Sequence, residues 1–184
     1  MQTEVIVSGF GGQGALFAGQ ILAFTGMDAG LQVTWMPSYG PEMRGGTANC
    51  QVILADDEIG SPVTRSPKAA IVLNLPSLDK FEPMITPGGV LVVNSSMVNR
   101  NPERTDIKWA MVPAQEIAEE IGYRRLQNMV MLGALLELLP IVSMEALEKA
   151  LNDHLPERHR KHLKGNLEAI NKGAAYARNE QVKA

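Results

Sequence analysis

The stretch most suited to chemistry near the start of the chain is Ser8-Gly9-Phe10-Gly11-Gly12-Gln13-Gly14, which directly follows the apolar run Val5-Ile6-Val7. Gly9, Gly11 and Gly14 have the G-x-G-x-x-G spacing of a turn that carries a strand into a helix and receives a dinucleotide. Such a turn presents backbone N–H groups at a helix N-terminus, where the peptide dipoles favour an anion. Glycine suits it because a side chain would keep a phosphate away, and because some turn positions require positive φ. Gly12 and Gln13 belong to the same turn and join the candidate anion ligands. A dinucleotide makes a second demand, an Asp or Glu about 20 residues on at the end of the next strand, to hold the ribose hydroxyls. That strand reads Val33-Thr34-Trp35-Met36-Pro37, with no carboxylate at its end and no arginine to suit a ribose phosphate. A conventional NAD site is therefore disfavoured. Two readings stay open: an anion held without a dinucleotide, or glycines that only allow tight helix–strand packing.

The second candidate is the loop Pro37-Ser38-Tyr39-Gly40-Pro41-Glu42-Met43-Arg44-Gly45-Gly46-Thr47. Its prolines and glycines imply a defined shape, and Arg44 next to Gly45 and Gly46 offers an uncrowded guanidinium. The planar fork of arginine suits phosphate or carboxylate through paired hydrogen bonds. Ser38, Tyr39 and Thr47 add hydroxyls, and Tyr39 an apolar face as well. The alternative is that Arg44 contacts Glu42 or the main chain and merely fixes the loop.

The elements that must position these residues alternate between strand and helix. Strands are expected at Glu4–Ser8, Val33–Met36, Thr47–Leu54, Ala69–Leu73, Val90–Asn94 and Ile107–Val112, from short apolar or alternating runs bounded by turns. A helix is expected over Gln13–Ala29 with Gly30 at its C-terminus, and a short one from Ser77. From Pro113 the periodicity is helical, over Ala114–Ile121, Asn128–Leu139, Ser143–Leu151 and Pro156–Ala177, so the C-terminal helical part occupies about 113–178. The sum is one domain over 1–184, a three-layer α/β/α arrangement with a mostly parallel sheet that admits a mixed pairing. Asn94 ends a strand on the side where open α/β sheets bind ligands, which makes it a candidate. Asn128 reads as a helix N-cap, with a site role as the alternative. Ser143 reads as an N-cap too, and Gly133 as a close helix contact.

Composition excludes several functions. A formal net charge of −3 argues against nucleic acid, whose phosphates need a basic field. The exception is Arg158-His159-Arg160-Lys161-His162-Leu163-Lys164, read as the solvated face of a late helix or, failing that, a surface for an acidic partner. His154, His159 and His162 fall in this tail and are not read as metal ligands. One cysteine, Cys50, rules out an intrachain disulfide and a four-cysteine iron–sulfur cluster, and its alternation with Ala48 and Val52 predicts a buried core residue. No stretch reaches the ~18 apolar residues of a membrane span. The N-terminus lacks a signal-peptide pattern, so a cytoplasmic location is expected.

Taken in order, Ser8 to Gly14, "VTWMPSYGPEMRGGTANCQV", "NLPSLDKF", "PGGVLVVNSS" and "NMVMLGAL" resemble the gamma subunit of 2-oxoacid:ferredoxin oxidoreductases over residues 4 to 150. The chains of 2-oxoglutarate and branched-chain types are most similar, and pyruvate or indolepyruvate types are the alternative. The resemblance implies oxidative decarboxylation of a 2-oxoacid to acyl-coenzyme A, with reduction of ferredoxin. It implies alpha, beta and ferredoxin-like delta-type partner subunits, which carry thiamine diphosphate, magnesium and the iron–sulfur clusters. This chain has neither the cysteines for a cluster nor a Gly-Asp-Gly segment followed by Asn for thiamine diphosphate, and no catalytic residue is assigned to it. Its implied share is coenzyme A binding, with Gly9, Gly11, Gly12, Gln13, Gly14, Ser38, Tyr39, Arg44, Gly45, Gly46, Thr47, Asn94 and Asn128 as candidates, or else subunit assembly. A stand-alone module for a nucleotide or coenzyme A is the rival from another class.

Overall fold

A computed structural model describes residues 1–39 and 46–179, with Tyr39 described by its backbone only. Six strands form one sheet: β1 (Gln2–Phe10), β2 (Gln32–Tyr39), β3 (Thr47–Ala55), β4 (Ala69–Val72), β5 (Val90–Asn94) and β6 (Lys108–Val112). Their order across the sheet is β2-β3-β1-β4-β5-β6. The β1–β4, β4–β5 and β5–β6 pairs are parallel, whereas β3 runs antiparallel to both neighbours. Five strands thus share one direction and β3 opposes them. The sheet is mixed because β2 and β3 form a hairpin, not a helical crossover.

The helices are α1 (Ala15–Asp28), α2 (Leu75–Phe81), α3 (Ala114–Glu120), α4 (Gln127–Leu138), α5 (Met144–His154) and α6 (Leu163–Asn179). Alternation along the buried strands sorts their side chains between two cores. Val5, Val7, Cys50, Val52, Leu54, Ile71 and Val92 face a large core that includes residues of α1, α3, α4, α5 and α6. Ile6, Ala70, Val72, Leu91 and Val93 face a smaller one closed by Leu78 and Phe81 of α2 and by Trp109. The three layers are unequal, with five of the described α-helices on one face and one on the other.

Local signals explain most element ends. Gly30 after α1 has φ +82°, and Gly88 in the turn before β5 has φ +71°. Ser143 caps α5 by accepting from the Ala146 N–H, as expected. The short helix starts two residues before Ser77, because Asn74 Oδ1 accepts the Ser77 N–H at 2.9 Å and caps it. The final expected helix is divided. Glu157–His162 is a 3-10 turn, and the α-helix proper begins at Leu163.

Candidate functional site

The candidate site lies at the edge of the sheet where β1, β2, β4 and β5 end and β3 begins. Gln13 holds the glycine turn there. Its Oε1 accepts the Phe10 N–H at 2.6 Å and its Nε2 donates to the Leu73 carbonyl at 3.2 Å, which ties the turn to the end of β4. Gly9 is needed for packing, since a Cβ there would lie 2.7 Å from Gln13 Oε1 and 2.9 Å from Leu73 Cβ. Gly12 is needed for conformation, with φ +99° and open space around it. Gly14 is needed for both: φ is +79°, and a Cβ would press on the Asn128 side chain, 2.8 Å from its Cγ. Gly9 serves packing, and Gly12 leaves the backbone open to solvent.

Gly14 begins α1 with no side-chain cap and no acidic residue in the first turn. An uncapped helix start carries unsatisfied N–H groups and partial positive charge, the requirement for an anion. The Gly11 N–H donates to the Gly46 carbonyl at 2.9 Å, and this bond binds the glycine turn to the end of the Pro37–Thr47 loop. Ser38 and Thr47 are exposed at the same edge. Arg44 and Gly45 lie outside the described residues, as does the Tyr39 side chain.

The two asparagines behave differently from each other. Asn94 is fully buried. Its Nδ2 donates to Gln127 Oε1 at 3.1 Å and its Oδ1 accepts the Ser96 N–H at 3.2 Å, so both ends of the amide are engaged within the chain. Asn128 is not the N-cap expected for it. Leu126 occupies that position, and Asn128 lies one residue inside α4 with its side chain turned into the protein. The reason is a contact invisible in local sequence: Asn128 Nδ2 donates to the Gly14 carbonyl at 3.1 Å, across 114 positions of chain. The α1 start is thus held from both sides, by Gln13 on the sheet and by Asn128 on α4. Asn128 Oδ1 is buried and has no hydrogen-bond partner among the described residues.

A cavity of about 710 Å³ opens beside Gly14 and Asn128 and runs along α1. Phe17, Phe24, Leu126 and Leu155 supply its apolar wall, and Arg124, Arg125, Arg158, His159 and His162 also line it. The basic segment is accordingly not just the outer face of a helix, since Arg158, His159 and His162 belong to the 3-10 turn that borders this cavity. His154 is not a free tail residue either, stacking on Phe24 and meeting Asp28 at 3.0 Å. Sequence reasoning missed this cavity. The only signal for it was the basic run itself.

Cys50 is fully buried beneath α1, and burial pushes its thiol up to about 12. Among the described residues no group of three or more metal-binding side chains is brought together, and no helix is long and apolar enough to cross a membrane.

The fold and this edge define an α/β domain whose glycine turn suits an anion and whose second strand lacks the carboxylate of a dinucleotide site. The chain belongs to the pyruvate ferredoxin/flavodoxin oxidoreductase family, whose pattern it matches over residues 4–176. It is 38% identical, over 97% of its own length and 95% of the relative's, to the 2-oxoglutarate synthase subunit KorC of Methanocaldococcus jannaschii. It is 35% identical to the ketoisovalerate oxidoreductase subunit VorA of Methanothermobacter thermautotrophicus, over 96% of this chain. The chain spans only 37% of that VorA subunit's length. A keto/oxoacid ferredoxin oxidoreductase gamma subunit from Geobacter sulfurreducens superposes with a TM-score of 0.82 at 32% identity, covering 97% of this chain and 99% of the other. The 2-oxoglutarate:ferredoxin oxidoreductase of Magnetococcus marinus, solved with 2-oxoglutarate, coenzyme A and succinyl-CoA, superposes with a TM-score of 0.86 at 28% identity. That match covers all of this chain and 32% of the other.

Proposed function

We propose that this chain is the gamma-type subunit of a 2-oxoacid:ferredoxin oxidoreductase, with 2-oxoglutarate as the substrate of the assembled enzyme. The 38% identity to a 2-oxoglutarate synthase subunit, against 35% and 30% for two ketoisovalerate-type chains, supports that substrate over 2-oxoisovalerate. Alpha, beta and delta-type subunits bring thiamine diphosphate, magnesium and the iron–sulfur clusters. A single buried cysteine fits no cluster, so the redox centres belong to those partners and electrons pass through them to ferredoxin.

The contribution of this chain is to coenzyme A, whose thiol is the acyl acceptor when bound. The observation that carries this is the uncapped start of α1, free of acidic residues and bonded through Gly11 to Gly46 at the end of the arginine-bearing loop. Diphosphate and 3′-phosphate groups are the anions such an arrangement suits. In this reading Gly12 and Gly14 admit the anion, Arg44 supplies the cation, and Ser38 and Thr47 flank it. Gly9, Gln13, Asn94 and Asn128 hold the framework.

The test is Arg44→Ala in assembled enzyme whose subunit content has been verified. A charge-assisted phosphate contact contributes about 1.5–3 kcal/mol. At ~1.4 kcal/mol per factor of ten, kcat/KM for coenzyme A should fall roughly ten- to hundredfold while that for the 2-oxoacid holds. Arg44→Lys should recover part of the loss. An intact complex with unchanged coenzyme A kinetics would refute the assignment. A second role in assembly is favoured by Met36, 39% exposed on the edge strand β2 next to the same loop. Loosening of the complex, with all kinetic constants falling together, is the outcome that role predicts for Arg44→Ala.

A further inference from the structure

The cavity beside α1 is an open groove whose rim is at odds with the charge of the chain. The protein is net acidic, yet among the described residues three arginines and three histidines line this space and no Asp or Glu does. Two of the six are offset from outside it: Arg124 pairs with Glu119 at 3.0 Å and His154 with Asp28 at 3.0 Å. Arg125 and Arg158 are exposed, and among the described residues neither takes part in an ion pair. Lys161 and Lys164, exposed as well, continue the basic run past the rim. Each exposed cation alone contributes little. Gathered on one margin with no carboxylate between them, they select an acidic surface over a basic one.

Behind the rim the wall is apolar. Phe17, Phe24, Leu126 and Leu155 line it, and the first three are only partly buried. Phe17 and Phe24 stand two turns apart on α1, roughly 10 Å along its axis. An apolar strip inside a charged margin has the anatomy of a protein interface. A small hydrophilic anion would engage the arginines and leave the aromatic wall wet. An uncharged apolar molecule would cover the wall and leave the cations without partners. A peptide segment with carboxylates on either side of apolar side chains satisfies both, and two helical turns or about three extended residues match the strip in length.

We propose that this groove docks an acidic segment of a partner subunit, its apolar side chains against Phe17, Phe24 and Leu126 and its carboxylates on Arg125 and Arg158. The guanidinium fork suits a carboxylate through paired hydrogen bonds. The inference rests on the reading of this chain as a gamma-type subunit, and adds where a partner is held and by what chemistry. It is separate from the coenzyme A role of the Arg44 loop, because none of its residues lies between Ser38 and Thr47.

The experiment compares hydrogen–deuterium exchange in the wild-type chain alone and in complex with its alpha and beta subunits. Residues 122–126 and 156–162 should exchange at least about tenfold more slowly in the complex. Carbodiimide coupling of that complex should join Lys161 or Lys164 to an Asp or Glu of a partner subunit. The double variant Arg125→Glu, Arg158→Glu should melt as the wild type does and bind the partner subunits at least about tenfold more weakly. That deficit should shrink at high ionic strength, and Arg125→Lys, Arg158→Lys should recover most of the affinity. Unchanged exchange at both segments in an intact complex, or a charge-reversed chain that binds its partners normally, would overturn the docking site while leaving the subunit reading in place. Protection that appears in the chain alone as its concentration rises would give the groove to a second copy and overturn the proposal. A wild-type chain that binds neither subunit would overturn both readings.

Discussion

Replacing Gly133 with alanine tests how closely α4 and α6 approach. The two helices cross at a pair of facing glycines. A Cβ on Gly133 would lie 2.8 Å from the Ile170 carbonyl carbon and nearer still to its oxygen, and one on Gly173 would do the same to Val130. In both cases the obstacle is backbone, which cannot rotate aside as a side chain can. Relief requires the helix axes to part along a contact that also buries Val130, Ala169 and Ile170. Overpacking of a close-packed interior costs about 1–3 kcal/mol, and the upper end applies where backbone is struck. Alanine recovers about 1 kcal/mol of helix propensity over glycine. The net loss is therefore about 2 kcal/mol. At about 2–4 °C per kcal/mol for a domain of this size, Gly133→Ala should lower Tm by roughly 4–8 °C in a thermal melt followed by circular dichroism. Gly173→Ala should do likewise, and the double variant should cost less than the sum, because one separation of the axes relieves both contacts. A Gly133→Ala protein that melts at or above the wild-type temperature would refute the close approach, leaving only the propensity gain.

Three further outcomes are expected. Glu82→Ala should destabilise the chain by about 1–3 kcal/mol in urea, because its buried carboxylate accepts from the N–H groups of Glu103 and Arg104, which lose their acceptor, and from Arg100 at 3.2 Å, which keeps its ion pair with Asp79. A loss under about 1 kcal/mol would refute that. Cys50 makes stability depend on alkali: its thiol moves from 9.0 to about 12 on folding. The unfolded chain loses that proton first, so the contribution is whole below pH 9 and is lost as pH rises from 9 towards 12. Cys50→Ala should flatten that part of a urea-midpoint profile, and an unchanged slope would count against it. NAD should show no binding to the chain by calorimetry up to about 1 mM, because β2 ends without a ribose-binding carboxylate. Micromolar affinity would contradict the reading of the glycine turn.

Five strands announced themselves as short apolar runs because burial leaves little choice of residue, and the edge strand β2, with no buried side chain among its described residues, was marked by the run Val33-Thr34-Trp35-Met36. The G-x-G-x-x-G turn was legible because its strand-to-helix setting is local. What sequence concealed was contact across long separations. Asn128 read as a cap because asparagine near a helix start most often is one, and nothing nearby indicates that it reaches Gly14. Gln13 gives no sign that it ties Phe10 to Leu73. The break between Glu157–His162 and α6 was hidden because a basic, helix-favouring run satisfies both 3-10 and α geometry, and only its place beside the cavity separates them. The direction of β3 was left open, since alternation specifies which face a residue takes and not which way the strand runs.

The reversed strand bears on how such a chain diversifies. Because β3 returns beside β2, the ends of these two strands, Tyr39 and Thr47, meet at one margin of the sheet, and the described helices belong to other connections. Residues can be gained, lost or exchanged between Tyr39 and Gly46 without shifting the register of β1 with β4. On the other side of the sheet the connection from β4 to β5 carries α2, whose place the smaller core dictates. Variation among relatives of this chain should therefore concentrate between β2 and β3, where evolution can retune the sequence while the folding problem stays the same.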